Sequence, residues 1–498
     1  METELKFALS PEARGYVERH VLPLATGNAV GETDDTIYFD TSDRALKKAG
    51  FSLRIRHRLD DDSYVQTVKS AGNGNYHRQK WEWPVGAPRP DLGRLVEISG
   101  LPDVASGDSR LRALFRTEVR RTKLVVTPAA GAKIELSLDD GAIVAGNRSE
   151  PLSEVELELK AGPQEALFRL GLELLQVAPL ALVTESKAER GYHLLDGTKP
   201  AARKPGAVPL APDLSVRDGF RAFSAAVLDH LLSNQPAALR GEEQEGIHQM
   251  RVAIRRLRSL LVLFERFLEP HVSERFEEEL RRLGQVLGVA RDWDVFLADT
   301  LPRAVKDSSD PDWIEPLRAR ALERQHAAHQ AAKKAVLEPA FARFVLAFEA
   351  WSRSGEGALP HRLLDRPLKQ VAPDMLSRLA RKVESRLADS DPDDADSLHS
   401  LRKSAKKLRY GIEYFESLYG KKAKAYYKRC NALQKRLGDL NDLATLTRLA
   451  AELTRDGRLD LAPALGILAN RSEALAAKEL KGLGKTLRNF EREDPFWT

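Results

Sequence analysis

The run Ser153-Glu154-Val155-Glu156-Leu157-Glu158-Leu159-Lys160 alternates carboxylates with aliphatic side chains at a strict period of two. That period belongs to a β-strand, which sends successive side chains to opposite faces. The same spacing recurs on either side. Glu135, Ser137 and Asp139 alternate with Ile134, Leu136 and Leu138; Arg116, Glu118 and Arg120 alternate with Phe115, Thr117 and Val119. Further out, Arg78, Lys80 and Glu82 alternate with Trp81 and Trp83, Lys69 follows Val65 and Thr67, and Arg54, Arg56 and Arg58 alternate with Leu53 and Ile55. The chain begins in the same way, with Glu2, Glu4 and Lys6 around Thr3 and Leu5. A set of short alternating strands broken by Gly, Asp, Asn and Pro indicates an antiparallel β domain up to about residue 195.

An ordinary strand has one wet and one buried face, and wet faces carry charge. These charged faces are unusual because they run in single-sign ladders. Like charges at i and i+2 repel unless a counter-ion lies between them. Glu154, Glu156 and Glu158 call for a divalent cation, and Arg54, Arg56 and Arg58 for a polyanion. Hard carboxylate oxygens suit Mg²⁺ or Mn²⁺, and guanidinium forks suit phosphate oxygens. If the sheet curls with its charged faces inward, one lumen meets both needs.

The residues Glu2-Thr3-Glu4-Leu5-Lys6 resemble the ExExK signature of the CYTH domain, the triphosphate tunnel metalloenzymes. The resemblance continues in order through Tyr38-Phe39-Asp40-Thr41, Leu53-Arg54-Ile55-Arg56, Thr67-Val68-Lys69, Glu135 to Gly141, Glu154-Val155-Glu156 and Ser186-Lys187. It implies an eight-stranded antiparallel tunnel with flanking helices that hydrolyses triphosphates with Mg²⁺ or Mn²⁺. Carried over by position, Glu2, Glu4, Glu154, Glu156, Glu158 and Asp139 form the metal end. Lys6, Arg54, Arg56, Lys69, Arg78, Arg116, Arg120 and Lys187 would bind the triphosphate, with Lys187 on the helix that closes the tunnel. Glu4, Glu156 and Lys69 are the expected catalytic residues. The Arg120-Arg121 pair leaves open which of the two faces inward. Trp81, Trp83 and Tyr76 are the only candidates for an aromatic cage, and period two puts both tryptophans opposite Arg78 and Glu82, on the outer face.

After a proline-rich stretch the pattern changes. Residues 201–214 read as a linker, and beyond them Leu, Ala, Arg and Glu recur at three- and four-residue spacing, as in helices. Here His248-Gln249-Met250-Arg251-Val252-Ala253-Ile254-Arg255-Arg256-Leu257-Arg258 returns 151 positions later as His399-Ser400-Leu401-Arg402-Lys403-Ser404-Ala405-Lys406-Lys407-Leu408-Arg409. Leu287-Gly288-Val289-Ala290-Arg291-Asp292 is echoed by Leu437-Gly438-Asp439-Leu440-Asn441-Asp442 after 150. Two matches at nearly one offset indicate a duplicated helical unit. His248, Arg251, Arg255 and Arg258 line one helix face, as do His399, Arg402, Lys406 and Arg409. Side by side, the two would form a single basic groove. Neither histidine has a second metal ligand at i+3 or i+4, so phosphate donation suits them better than metal binding.

This half resembles the CHAD domain, a helical domain of two similar four-helix units associated with polyphosphate binding and polyphosphate granules. The resemblance implies polyphosphate contacts from both histidine stripes, with Arg256 and Lys407 on their flanks. The expected architecture is α+β and multidomain: a β tunnel at 1–200, a linker at 201–214 and an all-α domain at 215–498, whose halves cover about 215–350 and 370–498. The expected activity is metal-dependent cleavage of inorganic triphosphate beside polyphosphate binding. A granule-associated binding protein and an enzyme for an organic triphosphate are the alternatives.

The whole chain has 498 residues, with 78 Lys+Arg against 73 Asp+Glu. A hydrophobic fraction of 42% excludes wholesale disorder. No apolar run nears the roughly 18 residues a membrane span requires. The one cysteine, Cys430, excludes an internal disulfide framework and reads as structural. An N-terminus without the basic and apolar regions of a secretory signal suggests a cytoplasmic protein, with polyphosphate granules as a candidate location. The basic stripes lack interleaved aromatics, so specific nucleic-acid recognition is not expected. Oligomeric state is not legible.

Overall fold

The computed structural model describes residues 2–70, 77–101, 110–128, 131–211, 213–240, 244–306, 314–354, 363–392, 394–454, 462–492 and 494–497. Tyr76 lies outside them. The chain forms two compact units. One comprises Met1–Ala202, Gln235–Glu242 and Val336–Ser354; the other comprises Arg203–Asn234, Glu243–Ala335 and Gly355–Thr498.

The first unit is built on an antiparallel sheet. Its strands are β1 (Glu2–Ala8), β2 (Val30–Asp40), β3 (Phe51–Arg58), β4 (Ser63–Ser70), β5 (His77–Arg78), β6 (Lys80–Val85), β7 (Arg112–Val126), β8 (Lys133–Ala145), β9 (Arg148–Ala161) and β10 (Ala181–Leu182). Eight of these have six residues or more, and β5 and β10 have two each. The order is β10-β1-β9-β8-β7-β2-β3-β4-β6. β5, one residue before β6, lies off this path and pairs Arg78 with Glu2 and His77 with Thr3 of β1, so among the described residues the sheet is tunnel-like rather than the closed eight-stranded barrel expected.

The alternation along each strand sorts side chains as the sequence suggests, but the charged face is the concave one. On β1, Leu5 and Phe7 are buried beneath the helix Gln164–Val177, where Gly171 lies so close that a Cβ there would meet the Leu5 side chain at 3.3 Å and the Phe7 ring at 3.4 Å. Glu2, Glu4 and Lys6 point the other way. A second apolar cluster of Phe39, Leu53, Ile55 and Val68 lies outside the sheet, and Trp81 and Trp83 pack against it. A third cluster fills one end of the tunnel, where Tyr38, Phe115, Val119, Ile143 and Leu152 pack with Tyr192 of the helix Lys187–Asp196.

Asp40, in the Tyr38-Phe39-Asp40-Thr41 motif, is fully buried and works as a structural hub. Its carboxylate accepts from the amides of Thr41 (2.7 Å), Leu46 (2.9 Å) and Lys47 (3.1 Å) and from the Tyr192 hydroxyl (2.7 Å). Asp40→Ala would strand several buried donors at once. Chemical denaturation is expected to show a loss of roughly 3 kcal/mol or more, since each unsatisfied buried group costs about 1–3 kcal/mol.

The second unit is helical. Its first half contains Val216–Ser233, Gln244–Phe264, Pro270–Val295 and Ile314–Leu337; its second contains Leu368–Ala388, Ala395–Tyr419, Ala423–Thr454 and Ala462–Glu491. Phe223, Phe264, Tyr414 and Phe415 pack edge-on or tilted at the junction of the halves, with centroids 4.8–6.2 Å from Phe223. The Tyr414 hydroxyl donates to the Arg256 carbonyl at 2.9 Å. The proline-rich segment after Ala202 is anchored here: Asn234 bonds both the amide and the carbonyl of Arg203, and Ser417 donates to the Val208 carbonyl.

Candidate functional site

Strand register assembles the tunnel wall. Because β1 pairs with β9 and β9 with β8, Glu4, Glu158 and Glu135 form one cross-strand row. Lys6, Glu156 and Ser137 form the next, and Ala8, Glu154 and Asp139 the one after. On the far wall Tyr38 faces Arg54, which faces Thr67, which faces Glu82. The enclosed cavity measures about 190 Å³, with eleven basic and six acidic residues among those lining it.

Within it the charges are tightly paired. Lys6 Nζ lies 3.0 Å from Glu4 and 3.7 Å from Glu156; Lys69 Nζ lies 2.6 Å from Glu2 and 3.6 Å from Glu4. Burial would raise the pKa of Glu4, but Lys6 and Lys69 outweigh it and hold the carboxyl well below the usual range. Glu156 follows the same logic, with Lys187, Lys6 and Arg121 overriding burial. Lys69 moves down, because burial and the nearby Arg54 cation outweigh its glutamates. Burial and Arg54 also bring Arg56 to about 10.

Of the residues expected at the site, Glu2, Glu4, Lys6, Arg54, Arg56, Lys69, Arg78, Glu156, Glu158 and Lys187 line the cavity. Asp139 and Glu154 lie just behind it, buried against Lys187. Arg116 and Arg120 do not reach the cavity: both are exposed on the outer face of β7, where Arg116 pairs with Glu118. The reason lies in the plug. Phe115 and Val119 occupy the inward face at the closed end, so period two turns the even-numbered arginines outward and continues inward as Arg121 and Lys123. Arg121 therefore resolves the ambiguity of the Arg120-Arg121 pair. It donates to Asp139 at 2.6 and 2.5 Å and to Glu156 at 3.1 Å. The available signal was the parity shared by Val119, Arg121 and Lys123. Arg58, Lys80, Lys123, Glu135 and Lys160 also line the cavity. Arg121→Ala is expected to lower phosphate release from a triphosphate, the reaction the resemblance implies, by roughly 100-fold or more, as for loss of one preorganised charge donor. Arg120→Ala should leave the rate unchanged in the same phosphate-release assay.

Asp139, Glu154 and Glu156 each offer an oxygen within 4.8 Å of the others. Three hard carboxylate donors on adjacent strands fit a divalent cation such as Mg²⁺ or Mn²⁺.

In the helical unit the two histidine stripes lie close together. Arg251, Arg255, Arg402 and Lys406 repel one another, and burial with this repulsion brings the Lys406 ammonium down to about 6. The second duplicated motif holds the first: Arg251 donates to the Gly288 carbonyl and Asp292, while Arg402 donates to Asn441, which also bonds His399. The Nε atoms of Arg255 and Arg402 are buried without a hydrogen-bond partner among the described residues. His248 is pushed down to about 4 by burial and by Arg291. Arg258 is engaged by Glu277, and Arg409 by Gln434, Glu413 and Tyr427, so the last cation of each stripe is already paired. Cys430 is buried and its thiol is pushed up to about 12, as a structural residue requires. No helix among the described residues is long and apolar enough to cross a membrane.

The family description "CYTH domain" matches residues 1–192, and "CHAD domain" matches residues 222–451. The chain is 31% identical over 201 residues to a protein of Haemophilus influenzae named inorganic triphosphatase, a match covering 39% of this chain and 54% of that one. It thus spans about half the length of that relative. An uncharacterised protein of Mycobacterium tuberculosis is 27% identical over 406 residues, covering 76% of this chain and 74% of the other. The crystal structure of a CHAD domain from the plant Ricinus communis superposes with a TM-score of 0.52 and 32% identity, covering 58% of this chain and 96% of that one. The charge-lined sheet and the duplicated helices are accordingly a CYTH domain followed by a CHAD domain.

Proposed function

We propose that this chain hydrolyses inorganic triphosphate in the tunnel, with a divalent metal, and binds polyphosphate along the paired histidine stripes. The observation that carries the reading is the composition of the tunnel wall. Seventeen of its twenty-two described lining residues are ionisable as Lys, Arg or Glu, and the one aromatic ring among them, Tyr38, is stacked on Phe115 at 4.7 Å. Such a wall matches a compact polyanion of about four charges and, among the described residues, offers no free aromatic face on which a nucleobase or thiazole would stack.

Arg54, Arg56, Arg78 and Arg121 would hold phosphate oxygens, supplying charge that is in place before the reaction begins. Glu154, Glu156 and Asp139 would hold the metal from one side, with Glu2, Glu4 and Glu158 along the neighbouring rows. When bound, the cation would polarise phosphate oxygens and make water more acidic. Glu156 or Glu4 would orient the attacking water. Lys69, with its lowered pKa, is suited to give a proton to the departing phosphate. In the helical unit, the unpartnered Nε donors of Arg255 and Arg402, beside a lysine that resists protonation, are what a bound polyanion would relieve.

A phosphate-release panel tests the reading, with tripolyphosphate, thiamine triphosphate, ATP and long polyphosphate compared in Mg²⁺ and Mn²⁺. Tripolyphosphate is expected to be cleaved fastest. Preference for an organic triphosphate, or no metal-dependent release from any, would overturn it.

A further inference from the structure

Lys187 is the first residue of the helix Lys187–Asp196, whose start is closed by a reciprocal cap between Ser186 and Glu189. Its side chain is nine-tenths buried, and its ammonium meets three carboxylates: Asp139 at 2.9 Å, Glu156 at 2.8 Å and Glu154. An ammonium has three protons, and here each has an acidic partner. Arg121 adds a second cation on Asp139 and Glu156, and Arg190 a third at 3.8 Å from Glu154. Lys6 is a fourth, 3.7 Å from Glu156. Three carboxylates thus face four cations, of which Arg190 and Lys6 are shared with Glu150 and Glu4, so the cluster holds no unbalanced negative charge. A divalent ion arriving at these oxygens would overcharge it unless one cation withdrew.

The four cations differ in how readily they can leave, and Lys6 is held first by Glu4, at 3.0 Å. Arg121 sits on a central strand and grips Asp139 with two parallel hydrogen bonds. Arg190 is tied to Glu150 and the Pro151 carbonyl. Lys187 has a flexible four-carbon stem, a point charge and no geometric fork. It also lines the tunnel, so its ammonium has somewhere to go.

We propose that Lys187 is an exchangeable internal cation: it competes with the divalent metal for Asp139, Glu154 and Glu156, and metal entry releases its ammonium into the tunnel toward the triphosphate. Metal loading and delivery of a substrate-facing charge are then one exchange. Lys187 acts as a positioning residue that keeps the carboxylates gathered before the metal arrives. This rests on the metal-dependent reading above.

The test measures Mn²⁺ binding to the full chain without substrate, by calorimetry and by the electron paramagnetic resonance signal of free Mn²⁺. Lys187→Met is expected to bind Mn²⁺ roughly 10- to 100-fold more tightly than wild type, the scale of removing one like charge a few ångströms away. Lys187→Arg, which keeps a cation there, should stay near wild type. Mn²⁺ should also raise the melting temperature of Lys187→Met by more than it raises that of wild type. Wild-type protein provides an arm independent of any variant: reductive methylation of Lys187, followed by mass spectrometry, should accelerate when Mn²⁺ is added. If wild type binds Mn²⁺ and Lys187→Met binds it no more tightly, or methylation of Lys187 is indifferent to Mn²⁺, the exchange is wrong while the metal-dependent reading stands. If neither protein binds Mn²⁺, the metal-dependent reading itself falls.

Discussion

Glu156→Gln is expected to lower metal-dependent hydrolysis of tripolyphosphate by about 1000-fold while leaving the circular dichroism spectrum unchanged, because the variant keeps the shape of the side chain and removes its charge. Among the described residues, no other carboxylate of the cavity touches three of its cations. One oxygen faces Lys187 at 2.8 Å and Lys6 at 3.7 Å, and the other takes a hydrogen bond from Arg121 at 3.1 Å. An amide in that position would offer N–H groups to cations and a weaker oxygen to a metal. The same contacts set a pH dependence of stability. The folded pKa of Glu156 lies below its usual 4.5, so its stabilising contribution is present above that value and is lost as pH falls through the depressed one. Acid unfolding of Glu156→Gln should accordingly be less steep than that of wild type. Retention of full activity by this variant would remove Glu156 from the catalytic machinery.

The second large effect concerns the helical unit. Lys406 gives up its proton near pH 6 because burial and Arg402, Arg255 and Arg251 disfavour a further cation. A bound polyphosphate would reverse that balance, so binding takes up a proton whenever the free protein holds Lys406 neutral. Affinity for polyphosphate is therefore expected to fall with rising pH above about 6, by at most roughly 10-fold per pH unit for one linked proton. Lys406→Met should flatten this profile and weaken binding below pH 6. For folding the pH dependence has the same sign as that of Glu156, because both pKa values are depressed, but it falls in a higher window. The unfolded chain binds more protons than the folded one between about 6 and the ordinary lysine value of 10.5, so this residue makes stability rise with pH across that window. Equilibrium binding of a labelled polyphosphate across pH, at constant salt, reads the first effect; an unchanged pH profile in Lys406→Met would refute the linkage.

The β half was legible because its strands carry single-sign ladders. Glu154, Glu156 and Glu158 on one strand and Arg54, Arg56 and Arg58 on another are costly unless something of opposite charge lies between them. The period of two was enough to place these side chains on a common face. It was not enough for β7. There Arg116 and Arg120 share an alternation with apolar Phe115, Thr117 and Val119, and by that pattern alone they are as good a charged face as any. Their outward direction follows from the packing of Phe115 between Tyr38 and Tyr192, with ring centroids 4.7 and 5.2 Å away. These contacts join residues far apart in sequence, and no local pattern contains them.

The helical half shows the same division. Repetition of the His-Arg pattern at a nearly constant offset marked the duplication and the basic face of each helix. It carried no information about partners. Glu277 engages Arg258, whereas Asp292 and Asn441 brace Arg251 and Arg402.

Periodicity, charge type and repetition are local properties of a chain, and here they determined a charge-lined antiparallel sheet, a duplicated basic helix pair and side chains of the kind that suit phosphate. Tertiary structure alone decided which arginine of β7 enters the tunnel and that Lys187 sits among three acids. It also decided which guanidinium donors of the stripes lack a partner among the described residues. Those outcomes depend on which distant residues share a small volume of low dielectric constant. There the energy of a charge is set by its neighbours in space rather than by its neighbours in sequence.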